Sequence, residues 1–166
     1  MRRMSWLLVA VVALLGCGGP SNSAAAPPAP AVSGPQLAFT ATTLDGKPFD
    51  GASLQGRPAV LWFWAPWCPT CLGQAPGVRE ALSRYGGRVA IIGVAGLDKT
   101  EAMPEFVRLA KVEGMTHLAD EAGVVWKRFG VTEQSIFVFI DAGGQVTFRG
   151  RLDPHDIPNR VAALLG

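Results

Sequence analysis

Residues Ala59-Val60-Leu61-Trp62-Phe63-Trp64-Ala65 form an apolar run with no polar alternation. A strand with one wet face alternates apolar and polar side chains. This run therefore describes a strand buried on both faces, at the centre of a helix-covered sheet. It passes through Pro66 directly into Trp67-Cys68-Pro69-Thr70-Cys71, and a helix is expected from about Thr70 to Tyr85, with a kink at Pro76. Two thiols thus stand one helical turn apart where a strand hands over to a helix. A disulfide across two intervening residues closes so small a ring that it removes little entropy from the unfolded chain, which makes it a poor structural staple. Cys-x-x-Cys at such a junction reads instead as a redox motif, a bond made and broken in use.

The remaining pattern supplies a frame for that junction. Arg88 to Ala95 is a second apolar strand, so strand, helix and strand make a parallel crossover. Glu101 to Val112 reads as a helix with Phe106, Leu109 and Ala110 inward, and Val124 to Phe129 as a short one. Ile136 to Ile140 and Gln145 to Arg149 flank Asp141-Ala142-Gly143-Gly144 and are expected to pair antiparallel, and Asp156 to Leu165 closes the chain as a helix. Gln36 to Thr42 and Lys47 to Phe49, about Asp45-Gly46, predict a hairpin. The expected fold is α/β: a mixed sheet with helices on both faces and an N-terminal β-hairpin extension. Residues 36–166 suffice for one compact domain and are too few for two.

The third cysteine has a different address. Arg2 and Arg3 form a basic start, Trp6 to Leu15 is a short apolar stretch, and Leu14-Leu15-Gly16-Cys17 has the form of a bacterial lipoprotein cleavage site. Residues 1–16 would then be a signal peptide and Cys17 the lipidated first residue of the mature chain. About ten apolar residues fall well short of the roughly 20 that cross a bilayer. An ordinary signal peptide is the competing reading. Gly18 to Pro35 is almost entirely Gly, Pro, Ser and Ala, and cannot bury enough surface to offset its ordering entropy. Its five prolines favour an extended tether, with a reach on the order of 50 Å at about 3.1 Å per residue. An export address places the thiols in a compartment that permits disulfides.

Charge narrows the partners. The chain has 15 basic and 13 acidic residues, and loss of Arg2 and Arg3 with the signal peptide leaves the mature chain balanced. With no basic run interleaved with aromatics, a nucleic-acid binder is not indicated.

The strand-to-motif stretch Ala59 to Cys71, with the architecture above, resembles the thioredoxin superfamily. Within it, Gln36 to Gly56, Pro58 to Cys71 and Asp120 to Ile140 look like the extracytoplasmic DsbE/DsbF-type thiol-disulfide oxidoreductases, relatives of the TlpA group. The resemblance covers nearly all of residues 36–166 and implies a lipid-anchored extracytoplasmic enzyme without a cofactor or metal. It would exchange disulfides with exported cysteine-containing proteins and be recharged by a membrane or extracytoplasmic redox partner.

Cys68 is the expected nucleophile. It precedes the helix, where unpaired backbone amides and the helix dipole favour the thiolate and lower its pKa from about 8.5. Reaching about 7 requires roughly 2 kcal/mol of differential stabilisation. Cys71, a turn further in, would resolve the mixed disulfide. Pro69 suits the first turn because its missing amide had no partner there. Trp67 is expected at the docking surface. Thr70 stands either as a donor to the Cys68 thiolate or as a plain first-turn residue.

Two positions depart from the resembled pattern. Thioredoxin-like proteins usually carry a cis-proline facing the nucleophile, where this chain has Ser135, so a trans Gln134-Ser135 bond is expected. Gln134 and Ser135 could then bond a substrate strand. Thioredoxin has a buried aspartate where this chain has Trp62, and many TlpA-like reductases have a glutamate where it has Gln74. Without those carboxylates nothing opposes thiolate formation, which leans toward an oxidising couple.

Other chemistries fit less well. Beyond the pair, zinc would need His117 and His155, far apart in sequence, and haem attachment fails because Leu72 follows Cys71. A peroxidase of the peroxiredoxin kind wants Thr or Ser three residues before its cysteine, where Ala65 stands. A thiol reductant for cytochrome c maturation and a non-enzymatic copper-binding lipoprotein stand as alternatives.

Overall fold

The computed structural model describes residues 35–166. The expected signal peptide over residues 1–16, Cys17 and nearly all of the expected tether lie outside the described residues. Pro35–Leu37 forms a 3-10 turn, so the hairpin's first strand begins at Thr40 rather than Gln36. Strands β1 (Thr40–Thr43) and β2 (Pro48–Asp50) pair antiparallel. Gly46 holds φ 78° in the turn between them, a conformation glycine adopts without steric cost.

Strand β3 (Ala59–Trp64) is buried at every position, as a two-sided central strand must be. It is followed by α1 (Pro69–Tyr85), β4 (Ala90–Ala95), α2 (Met103–Ala110), β5 (Thr116–Ala119), α3 (Val124–Arg128), β6 (Ile136–Ile140), β7 (Val146–Arg151) and α4 (Ile157–Ala162). The sheet runs β2-β1-β5-β4-β3-β6-β7. β3, β4 and β5 are parallel, and β6, β7 and the hairpin add antiparallel edges.

Alternation along β3 sorts two cores. Val60, Trp62 and Trp64 face α1, α2 and α4, while Leu61 and Phe63 face α3 with Leu37, Phe39 and Leu54. Trp64 stacks on Phe106 at 4.3 Å between centroids, and Trp62 stacks on Phe137 at 6.2 Å. Truncating a buried ring of this size to alanine costs about 3–5 kcal/mol, so β3 is held rigidly where it meets the cysteine motif.

α2 is shorter than its sequence suggests. Lys111 turns left-handed at φ 55° and ends the helix at Ala110. The buried stripe is Met103, Phe106, Val107 and Ala110, at i, i+3, i+4 and i+7, and Leu109 falls off it into solvent. α1 runs on through Pro76, which is exposed.

Candidate active site

β3 ends at Trp64, and the chain turns so that the Cys68 amide donates to the Ala65 carbonyl at 3.1 Å. Cys68 then caps α1. Its backbone is extended (φ −90°, ψ 105°), its carbonyl accepts from the Leu72 amide, and its Sγ accepts from the Cys71 amide at 3.0 Å. The sulfur thus occupies the capping position that Ser or Asp oxygen fills in most helices, facing the positive end of a 17-residue helix. Pro69 sits at the first helical turn. Cys68 and Cys71 are joined by a disulfide with their Cα atoms 5.3 Å apart.

Both sulfurs lie deeper than a simple exposed nucleophile would. Cys68 is 3% exposed and Cys71 fully buried. Cover comes from the loop before β6, where Ser135 is completely buried and its Oγ lies 3.2 Å from Cys68 Sγ and 3.2 Å from Cys71 Sγ. No cis peptide bond occurs among the described residues, so Gln134-Ser135 is trans. Ser135 takes φ 68°, with its amide donating to the Phe63 carbonyl at 2.9 Å.

Gln74 locks this arrangement. Buried on the first turns of α1, its Oε1 accepts from the Trp62 indole at 3.1 Å, and its Nε2 donates to the carbonyls of Ser135 at 3.1 Å and Leu152 at 2.9 Å. Each polar atom of the amide is used, and flipping it would set NH₂ against an indole N–H. The two positions at which the chain departs from acidic residues, Trp62 and Gln74, are therefore bonded to each other. Each is legible singly in the sequence; their pairing across strand and helix is not. Asp120 is the sole buried carboxylate among the described residues, and it caps α3 through the amides of Val124 and Trp126 at 2.8 Å each.

Around the pair, Trp67 is 53% exposed and its indole N–H reaches the carbonyl of Leu97 at 3.3 Å. Leu97, which sequence reasoning did not single out, is also exposed and is held at φ 60°. Thr70 is exposed and is not among the hydrogen-bond partners of Cys68. Gln134 is half-buried. No group of three or more metal-ligating side chains occurs among the described residues.

His117 lies on β5, with Nε2 3.0 Å from the Val112 carbonyl, and burial pushes its pKa below the usual 6.5. Its Nδ1 and the Trp64 indole nitrogen, both without a hydrogen-bond partner, crowd over Gly93, where a Cβ would strike the imidazole. His155 is exposed just before α4.

A model of the AhpC/TSA family matches residues 32–149. The chain belongs to the AhpC/TSA family. MPT53, a soluble secreted antigen of Mycobacterium tuberculosis, is 41% identical over 160 residues, which are 94% of this chain and 87% of MPT53. The structure of MTB DsbF in mixed oxidised and reduced forms matches with TM-score 0.75 at 50% identity, covering 80% of this chain and 98% of DsbF. A secreted M. tuberculosis disulfide oxidoreductase homologous to E. coli DsbE matches with TM-score 0.71 at 43% identity, covering 77% and 97%. This AhpC/TSA-family protein is a thiol-disulfide oxidoreductase of the DsbE/DsbF type with a thioredoxin-like fold.

Proposed function

We propose that the protein is an extracytoplasmic disulfide oxidant, tethered to the cell membrane through a lipidated Cys17, that donates the Cys68–Cys71 bond to exported proteins. A substrate thiol gives up its proton as it attacks Cys68 Sγ, the intramolecular S–S bond breaks, and Cys71 departs as a thiol, taking up one proton. A second substrate thiolate then attacks the mixed disulfide, forming the substrate's own S–S bond and releasing Cys68 as thiolate. Two electrons pass from substrate to enzyme, and a redox partner withdraws them.

The observation that carries the oxidising direction is the neutral Trp62–Gln74 bond beneath the cysteines. A carboxylate at either position would oppose thiolate formation and favour the reducing direction. Here both are replaced by groups that satisfy one another, and Cys68 Sγ already accepts a backbone N–H at the helix start. A stabilised thiolate means a stabilised reduced form and hence a stronger oxidant. Location rests on the Arg2, Arg3 to Cys17 pattern and on the secreted relatives.

Equilibration against glutathione tests the direction. A Cys68–Cys71 potential of about −120 to −180 mV supports the oxidant, and one near thioredoxin's, about −270 mV, overturns it in favour of a reductant. Trapping with Cys71→Ser, which leaves the Cys68 mixed disulfide unresolved, identifies the partners. A broad set of secreted cysteine proteins fits the oxidant, and recovery of cytochrome maturation proteins fits a dedicated reductant. Cys17→Ser should move the protein from the membrane to the soluble fraction.

A further inference from the structure

We propose that Ser135 is a catalytic residue of the exchange, its hydroxyl relaying the proton that Cys71 must lose or gain each time the Cys68–Cys71 bond forms or opens. The inference rests on the thiol-exchange chemistry proposed above and adds the group that handles its buried proton.

The need for such a group follows from burial. Cys71 and Ser135 are fully enclosed and Cys68 nearly so, which keeps bulk water from serving as the base. The Gln74 amide cannot substitute, because both its hydrogens go to carbonyls and its oxygen to an indole. Asp120 is committed to the α3 cap. What remains beside Cys71 is Ser135 Oγ, 3.2 Å from each sulfur and so astride the bond that is made and broken. A hydroxyl is at once one donor and an acceptor, which is what a relay requires.

The hydroxyl is also pre-positioned. Ser135 N–H is bound by Phe63 and its carbonyl by Gln74, so the main chain is fixed independently of the side chain. Removing Oγ therefore leaves the loop's own hydrogen bonds in place and separates a chemical role from a structural one.

The step balances as follows. In the mixed disulfide, Cys71 Sγ attacks Cys68 Sγ, forming the Cys68–Cys71 bond and breaking the bond from Cys68 to the substrate sulfur. The Cys71 proton passes to Ser135 Oγ while the serine's own proton passes to the departing sulfur, which leaves as a thiol. Two electrons remain with the substrate, and Ser135 is unchanged. The opening of the bond by a substrate thiol is the same path reversed, with Cys71 leaving protonated.

The test uses the full chain and two variants, Ser135→Ala and Ser135→Gly, the second tolerating φ 68° without strain should the first fold poorly. Cys68 is loaded with glutathione or with 5-thio-2-nitrobenzoate, and release by Cys71 is followed between about pH 6 and 9. Glutathione is a basic leaving group that needs a proton, and thionitrobenzoate is an acidic one that does not. The expected result is a glutathione release slowed about tenfold or more near pH 7 in both variants. The loss should be smaller for thionitrobenzoate, whose departure needs no proton. Release within twofold of wild type across that range, or equal losses for the two leaving groups, overturns the relay. If wild-type protein neither alkylates at Cys68 nor exchanges with oxidised glutathione, the thiol-exchange mechanism itself fails, and that failure is seen without any variant.

Discussion

Gln74 shows how a single side chain can set both the structure and the poise of a site. Replacing it by Glu keeps the indole bond but turns a carboxylate toward the Ser135 and Leu152 carbonyls, which have no proton to offer. Gln74→Glu should cost about 1–3 kcal/mol of stability for the mismatched acceptors. It should also make the couple more reducing, by about 30 mV for each 1.4 kcal/mol withdrawn from the thiolate. Urea unfolding and glutathione equilibration measure the two effects, and an unchanged potential would contradict the role given to the missing charge. His117 supplies a pH signature. Burial holds its folded pKa below 6.5, outweighing the Val112 carbonyl and Glu113, which act in the opposite direction. The unfolded chain, titrating near 6.5, then binds more protons between the two values, so stability is whole above about pH 7.5 and drains as pH falls through about 6.5. The urea midpoint of His117→Gln should fall less between pH 7 and 5.5 than that of wild type. Residues of this kind were legible in the sequence as departures, Trp62, Gln74 and Ser135 each standing where an acid or proline belongs. Their joint geometry was not legible, because it is fixed by a strand, a helix and a loop meeting, which no local pattern encodes.

At the scale of elements, the sequence reads best where burial is total. The β3 run and the Pro69 start of α1 follow directly from apolar continuity and helix-start chemistry, whereas α2 stops early because Lys111 adopts a left-handed conformation that its residue type does not announce. The placement of α1 against the segment before α4 depends on Gly77, where a Cβ would strike the backbone carbonyl of Pro154, whereas Gly73, one turn earlier, has nothing within 4 Å. Two alanine substitutions four residues apart on one helix should therefore act in opposite directions. Gly73→Ala should stabilise by about 0.5–1 kcal/mol through helix propensity and unfolded-chain entropy. Gly77→Ala should destabilise by about 1–3 kcal/mol through overpacking. Because Leu152, whose carbonyl helps to hold Gln74, lies two residues before Pro154, Gly77→Ala should also alter the rate of thiol exchange. Equal effects of the two substitutions on the urea midpoint would show that the α1–α4 contact yields more easily than its backbone partner suggests.

For the whole molecule, the poise of the cysteine pair and the stability of the fold are one quantity seen from two sides. Folding and reduction close a thermodynamic cycle. If the folded protein is a stronger oxidant than its own unfolded chain, folding must stabilise the dithiol form more than the disulfide form by the same free energy, about 1.4 kcal/mol for each 30 mV. A small Cys-x-x-Cys ring contributes little to offset this through unfolded-state entropy. The capped Cys68 sulfur, with its N–H donor and the Ser135 hydroxyl beside it, is a site built to hold a thiolate, and the neutral Trp62–Gln74 layer does nothing to repel one. The reduced protein should therefore unfold at a higher denaturant midpoint than the oxidised protein, with the same dependence on denaturant. The gap should match the difference between potentials measured for the folded protein and for the same chain held unfolded. A more stable oxidised form would mean that the fold favours the disulfide, and the direction of electron flow proposed for this enzyme would have to be reversed.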